Sequence, residues 1–218
     1  MDSAPKKLKV VFCGDAGVGK TALLKRYTAD VFDQFTNATT AVKPVMASLD
    51  IIESEPRVTN PVQLWDTPGQ DALGSLTTLH YRGADGALAC YDVSRPATLS
   101  RLSKWLDEVR AHAPAGVVVA VIANKCDLVG DSGEHLEALR KGLSFAQSNG
   151  CLFFETSAKW GRAQGLAPST RGMALRGGIE VVLRALATHM GKLSGARATA
   201  EGAFTLGKQA EEEDACAC

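Results

Sequence analysis

Gly14-Asp15-Ala16-Gly17-Val18-Gly19-Lys20-Thr21 fits the pattern G-x-x-x-x-G-K-[ST], and the rest of the chain is read outward from it. The apolar run Leu8-Lys9-Val10-Val11-Phe12-Cys13 precedes it, and Leu23, Leu24 and Tyr27 follow at helical spacing. A strand opening through a glycine loop into a helix is the context in which this motif cradles phosphate. The glycines let the backbone come close, so that the N–H groups of Asp15, Ala16, Gly17, Val18 and Gly19 and the helix N-terminus converge on one anion. Lys20 adds a point charge toward the β- and γ-phosphates. Thr21 offers a hydroxyl to Mg²⁺, an ion that takes few protein oxygens and keeps several waters. By itself the stretch implies a nucleoside triphosphate and leaves the base open.

Composition sets the limits. A chain of 218 residues suits one sizeable core plus a tail. Lys+Arg and Asp+Glu are equal at 24 each, so no global field draws nucleic acid or an anionic membrane, and partners must be recognised locally. The six cysteines lack zinc-type spacing, and Cys13, Cys90 and Cys151 lie in apolar runs, as buried thiols do in a reducing cytosol. The first residues, Met1-Asp2-Ser3-Ala4-Pro5-Lys6-Lys7, lead into a run too short for a signal peptide. No later run approaches the length of a membrane span, and the absence of Gly after Met1 excludes myristoylation there.

Beyond the loop, residues 30–40 are polar and without period, a loop beside the phosphates. Residues 42–52 and 58–65 suggest an antiparallel pair at the sheet edge, with Pro44 and Pro61 marking both as edge strands. Residues 71–81 predict a weak helix. The runs 86–92, 117–123 and 151–154 are nearly continuous in apolar residues, as parallel strands buried on both faces are. Leu99, Leu102, Leu106 and Val109 make one helical stripe and Leu136, Leu139, Leu143 and Ala146 another, with a last helix over 179–190. Such alternation predicts an α/β fold of the P-loop NTPase kind: a six-stranded, mostly parallel sheet with one antiparallel edge strand and helices on both faces. Ligands of such sheets bind at the carboxyl ends of the strands, where the polar motifs fall. We expect one domain over 1–190 with a Gly/Ala/Arg-rich surface insertion at 160–178, followed by a disordered tail over 191–218.

Two further motifs name the base. Asn124-Lys125-Cys126-Asp127 follows one buried strand and Glu155-Thr156-Ser157-Ala158-Lys159 follows another. Guanine presents N1–H and an exocyclic N2–H₂ side by side, and the two oxygens of Asp127 match them as a charge-assisted pair. Adenine has an acceptor at N1 and no amino group at C2, so it would leave that carboxylate unpaired. The methylene stem of Lys125 can cover the base face, Asn124 can tie loops together, and backbone N–H groups of the Ser157-Ala158-Lys159 loop can meet O6.

With these motifs in order, residues 7–190 resemble the Ras superfamily of small GTPases, and more narrowly the Rab family. Trp65-Asp66-Thr67-Pro68-Gly69-Gln70, Tyr81-Arg82-Gly83-Ala84-Asp85-Gly86, Tyr91-Asp92-Val93-Ser94, the stretch 105–109 and the ending Cys216-Ala217-Cys218 carry the resemblance. It implies that Phe32 stands edge-on to guanine and that Thr39, or its neighbour Thr40, is the switch threonine. It implies further that Asp66 holds Mg²⁺ through water, that the Gly69 N–H senses the γ-phosphate and that Gln70 is the catalytic residue orienting the attacking water. The nucleotide would be GTP or GDP with Mg²⁺. An exchange factor, a GTPase-activating protein, effectors, a prenylation escort and a GDP-dissociation inhibitor would be the partners. Double prenylation of Cys216 and Cys218 would place the protein on the cytoplasmic face of an intracellular membrane in vesicle trafficking, with a cytosolic pool.

The chain also departs from the Rab pattern. Thr40-Ala41-Val42-Lys43-Pro44 replaces I-G-x-D-F, so an aromatic that packs with Trp65 and Tyr81 on the effector face is missing at Pro44. Pro68 stands for alanine, and Asp71-Ala72-Leu73 for the aromatic–arginine after Gln70. These changes motivate a second reading, a guanine-nucleotide-binding module with impaired hydrolysis serving as a constitutive scaffold. A P-loop kinase or metabolic NTPase is a third, for which only the insertion could serve as a lid.

Overall fold

The structure, a computed structural model, describes residues 7–34, 39–51, 58–69, 78–129, 133–161, 167–168 and 175–191. Its strands are β1 (Leu8–Cys13), β2 (Lys43–Ile51), β3 (Val58–Asp66), β4 (Gly86–Asp92), β5 (Val118–Asn124), β6 (Leu152–Glu155), β7 (Ala167–Pro168) and β8 (Leu175–Arg176). The helices are α1 (Lys20–Ala29), α2 (Thr78–Tyr81), α3 (Pro96–Ser100), α4 (Leu102–His112), α5 (Gly133–Ser148) and α6 (179–191).

The strands form one sheet in the order β2-β3-β1-β4-β5-β6-β8-β7. From β3 to β6 every pairing is parallel, and β2 runs antiparallel on the outer side of β3. The six expected strands are therefore present with one antiparallel edge. Pro61 is the exception to the edge assignment, because β3 is interior. The register removes the conflict: β1 starts pairing at Val62, so the missing Pro61 N–H lies beyond the end of β1.

Side chains alternate across the sheet and divide the core in two. Val10 and Phe12 of β1 face Leu23, Leu24 and Tyr27 of α1 and Ile179, Leu183 and Leu186 of α6. Val11 and Cys13 face Leu102, Trp105 and Leu106 of α4 and Leu139 and Ala146 of α5. With helices on both faces, β4 and β5 are buried along their whole length, which is why their sequences are apolar without alternation. The Cys13 thiol is fully enclosed, and burial pushes it up to about 12, so it behaves as an apolar filler.

The segment 160–178 adds something the sequence pattern did not suggest. Leu175–Arg176 continues the sheet parallel to β6, Ala167–Pro168 pairs antiparallel with it, and the Gly177 N–H donates to the Glu155 carbonyl at 3.2 Å. Residues 162–166 and 169–174 lie outside the described residues, as do Gln70, the stretch 70–77 and the tail from 192 with Cys216 and Cys218.

β1 has β3 on one side and β4 on the other: the connection that leaves β1 runs toward β2 and β3, the one that leaves β3 crosses over to β4, and between them a crevice opens at the carboxyl end of β1. The loop after β1, residues 67–69 after β3, Asp92 at the end of β4, Asn124 at the end of β5 and residues 156–159 after β6 all reach that end.

Candidate functional site

The loop from Gly14 to Gly19 owes its shape to glycines at positive φ: 129° at Gly14, 74° at Gly17 and 96° at Gly19. At Gly14 no side chain fits, since a Cβ there would lie 2.2 Å from the Cys90 carbonyl oxygen of the neighbouring strand. Gly19 leads straight into α1, whose ten residues aim an N-terminus into the crevice. Lys20, only 5% exposed, curls across the loop and donates from Nζ to the carbonyls of Gly14 at 2.6 Å and Asp15 at 2.9 Å. Burial pulls its ammonium below the usual lysine range.

Three oxygens meet beside the first turn of α1. Thr21 Oγ1 lies 2.6 Å from Asp66 Oδ2 and 2.6 Å from Thr39 Oγ1, and the Thr39 hydroxyl reaches Asp66 Oδ2 at 3.4 Å. Asp66 Oδ1 is buried with no hydrogen-bond partner among the described residues. Burial pushes the Asp66 carboxyl above the ordinary range, against the Thr21 hydrogen bond and the charge of Lys20. A cluster of hard oxygens with one acceptor left unsatisfied fits a small divalent cation such as Mg²⁺. Thr40, the competing switch threonine, is exposed.

On the far side two loops are stitched together. The Cys126 N–H donates to the Thr156 carbonyl at 3.2 Å and the Thr156 N–H to the Ala123 carbonyl at 2.9 Å. The Ser157 hydroxyl donates to Asp127 Oδ1, and Ser157 Oγ in turn accepts from the Lys159 N–H at 3.0 Å. One carboxylate oxygen is thus committed to holding the aspartate in place. Asn124, fully buried, donates from Nδ2 to the Val18 carbonyl at 2.7 Å and so ties this side to the phosphate loop. Arg26 of α1 donates to the Ala158 carbonyl at 2.8 Å, a second tie.

These elements enclose a cleft of about 470 Å³, within the range of small-molecule sites. Of the residues expected there, Ala16, Gly17, Gly19, Lys20, Thr21, Phe32, Thr39, Gly69, Asn124, Lys125, Asp127, Ser157, Ala158 and Lys159 line it. The Asp15 side chain does not. It is turned outward to α4, where Trp105 Nε1 donates to it at 2.9 Å and Arg101 Nε at 2.5 Å. Val18 also points away, into the core. Gly69 abuts the loop so closely that a Cβ on it would lie 2.3 Å from the Ala16 nitrogen.

Sequence reading did not name Ala22, Asp33, Gln34, Thr67 or Leu128 in the lining of the cleft, nor Asp92 and Arg95 behind it. Thr67 lines it and is locked by donating to the Phe12 carbonyl at 2.7 Å. Asp92, 1% exposed, accepts from Ser94 N–H, Ser94 Oγ, Arg95 Nε and Lys125 Nζ at 3.0, 2.6, 2.9 and 2.8 Å. Burial alone would push this carboxyl up, but the hydrogen bonds from Lys125, Ser94 and Arg95 outweigh it and hold it below the usual carboxylate range. Arg95 extends past Asp92 and donates from Nη2 to the Ala16 carbonyl at 3.3 Å. Thr67 and Asp92 stand within Trp65-Asp66-Thr67-Pro68-Gly69-Gln70 and Tyr91-Asp92-Val93-Ser94, stretches that carry resemblance without naming a role for either.

The expected effector face needs one correction. Tyr81 is fully buried, in the core beneath α4. The ring beside Trp65 is that of His80, 5.6 Å between centroids, with Lys9 Nζ 4.3 Å from the Trp65 ring centre on that surface. Both residues lie in α2, where successive helical residues point about 100° apart, so only one of the two can face Trp65.

A model of the Ras family matches residues 9–164. The chain belongs to the Ras family. Among curated proteins it is similar to three Ras-related proteins of Arabidopsis thaliana. RABA2a is 41% identical over 152 residues, which is 69% of this chain and 66% of the relative. RABA5c is 39% identical over 150 residues and RABA5d 37% over 150, covering 67% and 65% of those relatives. The matched part of the chain spans about two thirds of the length of these relatives. Within the Ras family the chain is Rab-like. Ras-family proteins bind GTP and GDP with Mg²⁺ and hydrolyse GTP to GDP.

Proposed function

We propose that this Ras-family chain is a Rab-like GTPase, a switch that binds Mg²⁺ with GTP or GDP and hydrolyses GTP slowly until an activating protein engages it. The observation that carries this reading is the single cleft lined both by Lys20 and Thr21 and by Asn124 and Asp127, phosphate chemistry at one end and guanine chemistry at the other. In it the backbone N–H groups of residues 15–19 hold the phosphates and Lys20 neutralises them. Thr21, Thr39 and Asp66 are the residues that would hold Mg²⁺, which supplies charge neutralisation at the β–γ bridge. Asp127 reads the base edge, the Lys125 stem covers a face, Phe32 stands edge-on to the base, and the loop of Ser157, Ala158 and Lys159 closes behind it. Gln70 orients the attacking water, and the Gly69 N–H senses the γ-phosphate. Partners read the nucleotide state through the order of residues around Thr39 and Gly69.

Extraction of nucleotide from the purified protein tests the reading: guanine nucleotide is expected, and ATP or no nucleotide would overturn it. Gln70→Leu is expected to leave binding intact and to slow hydrolysis in the presence of an activating protein by about 10³-fold or more. Single-turnover GTP hydrolysis measures it. If wild type itself does not turn over with an activating protein, the scaffold reading with impaired hydrolysis replaces the switch.

Membrane attachment is part of the same proposal. Among the described residues no helix is long and apolar enough to cross a membrane, and attachment is assigned to prenylation of Cys216 and Cys218. One lipid chain holds a protein marginally and two hold it stably, at about 0.8 kcal/mol per buried CH₂. Glu211, Glu212, Glu213 and Asp214 give the tail no attraction to anionic lipid, so lipids anchor it and a partner selects the membrane. A Cys216→Ser/Cys218→Ser variant is expected to move to the soluble fraction in cell fractionation while still binding GTP. Unchanged pelleting with membranes would remove the lipid half of the proposal.

A further inference from the structure

Asp92 lies at the end of β4, directly opposite Asn124 in the register with β5, so its carboxylate stands beside the residue that follows, Lys125. Lys125 has φ 66°, a left-handed conformation that a lysine adopts at some cost. It also passes its stem by the phosphate loop: a Cβ on Gly19 would lie 3.8 Å from Lys125 Cε. The ammonium at the end of that stem is 2.8 Å from Asp92 Oδ2, and the same oxygen accepts from Arg95 Nε at 2.9 Å. Side-chain exposure is 1% for Asp92, 30% for Lys125 and 47% for Arg95. A buried acid therefore gathers two cations that would otherwise be solvated.

We propose that Asp92 is a positioning residue for the nucleotide: it pins the ammonium of Lys125, and through Arg95 the Ala16 carbonyl, so that the base clamp and the phosphate loop are held as one preformed unit. This rests on the guanine-nucleotide reading above and adds a residue to it. The physical reason is pre-organisation. A lysine stem has many rotamers, and one fixed at both ends has already lost that freedom when the base arrives. The gain appears chiefly in the release rate, because contacts made in the bound state set dissociation. Asp92 is not itself among the residues that line the cleft, so its effect must pass through Lys125, which does line it, and through Arg95.

The test is a double-mutant cycle on the release of fluorescent GDP from full-length protein in Mg²⁺, using Asp92→Asn and Lys125→Ala. Asp92→Asn is expected to speed release about tenfold, the size of one charge-assisted hydrogen bond. In the Lys125→Ala background the same change should then add less than twofold. Multiplicative effects would mean that Asp92 supports only the fold, and would overturn the proposal. Lys125→Met keeps the stem and removes the ammonium at a half-exposed position, so it remains informative where Asp92→Asn does not fold. Release from Lys125→Met at the wild-type rate overturns the proposal, and faster release supports it. Wild type that holds no guanine nucleotide would defeat the underlying reading. Wild type that holds it, with a multiplicative cycle, defeats only the role of Asp92.

Discussion

Asp127→Asn is expected to lower the affinity for GDP by roughly 10² to 10⁴-fold while leaving the protein folded, with the loss confined to the base contact. Asp127 occupies the short turn Cys126–Leu128 and its Oδ1 is held by the Ser157 hydroxyl, so the carboxylate meets the base in one orientation. Guanine brings two donors, N1–H and N2–H₂, to that carboxylate. An asparagine can accept from only one of them and points an N–H₂ at the other, which leaves two donors facing each other in a partly desolvated cleft. Xanthine carries a carbonyl where guanine has N2–H₂, so it pairs with the amide and should be preferred by the variant. Competition binding with GDP and xanthosine diphosphate measures the reversal. Equal loss of both nucleotides, or unchanged preference for GDP, would take the base contact away from Asp127.

Gly14→Ala carries the other large effect, on stability. At φ 129° an alanine is strained, and its Cβ would lie 2.2 Å from the Cys90 carbonyl oxygen and 3.2 Å from the carbonyl carbon. Both are backbone atoms of β4, a strand buried along its length, so neither can move aside without opening the centre of the sheet. Strain and overpacking together give an expected loss of about 3 to 5 kcal/mol. For a protein of this size that is a fall in melting temperature of roughly 6 to 20 °C, compared at equal GDP and Mg²⁺ because bound nucleotide adds stability of its own. Gly150→Ala is the control: φ is 63° and no described residue lies within 4 Å of the added carbon, so the left-handed strain of about 1 to 2 kcal/mol is what remains. Comparable melting of the two variants would show that the contact with Cys90 is not limiting.

The two motifs that line the cleft are legible in the sequence alone, because each is a run of contiguous residues at fixed spacing. Gly14 to Thr21 and Asn124 to Asp127 each name their own backbone needs and their own ligand group. The buried strands were legible for a related reason: burial on both faces leaves no polar period in 86–92 or 118–124. What contiguous sequence does not encode is which remote residue completes a contact. Asp92 became part of the site only when β4 and β5 paired Asp92 with Asn124 and brought Lys125 within 2.8 Å. Asp15 reads as a loop residue offering its N–H to phosphate, with no role for its carboxylate, which is held outward by Trp105 and Arg101. Pro61 reads as an edge marker, and a one-residue matter of register let β3 lie inside the sheet. His80 and Tyr81 are neighbouring aromatic residues, and which of them meets Trp65 is decided by the rotation of α2. Each of these turns on strand register or helix rotation, quantities set by packing over the whole core, whereas a motif carries its chemistry in its own side chains.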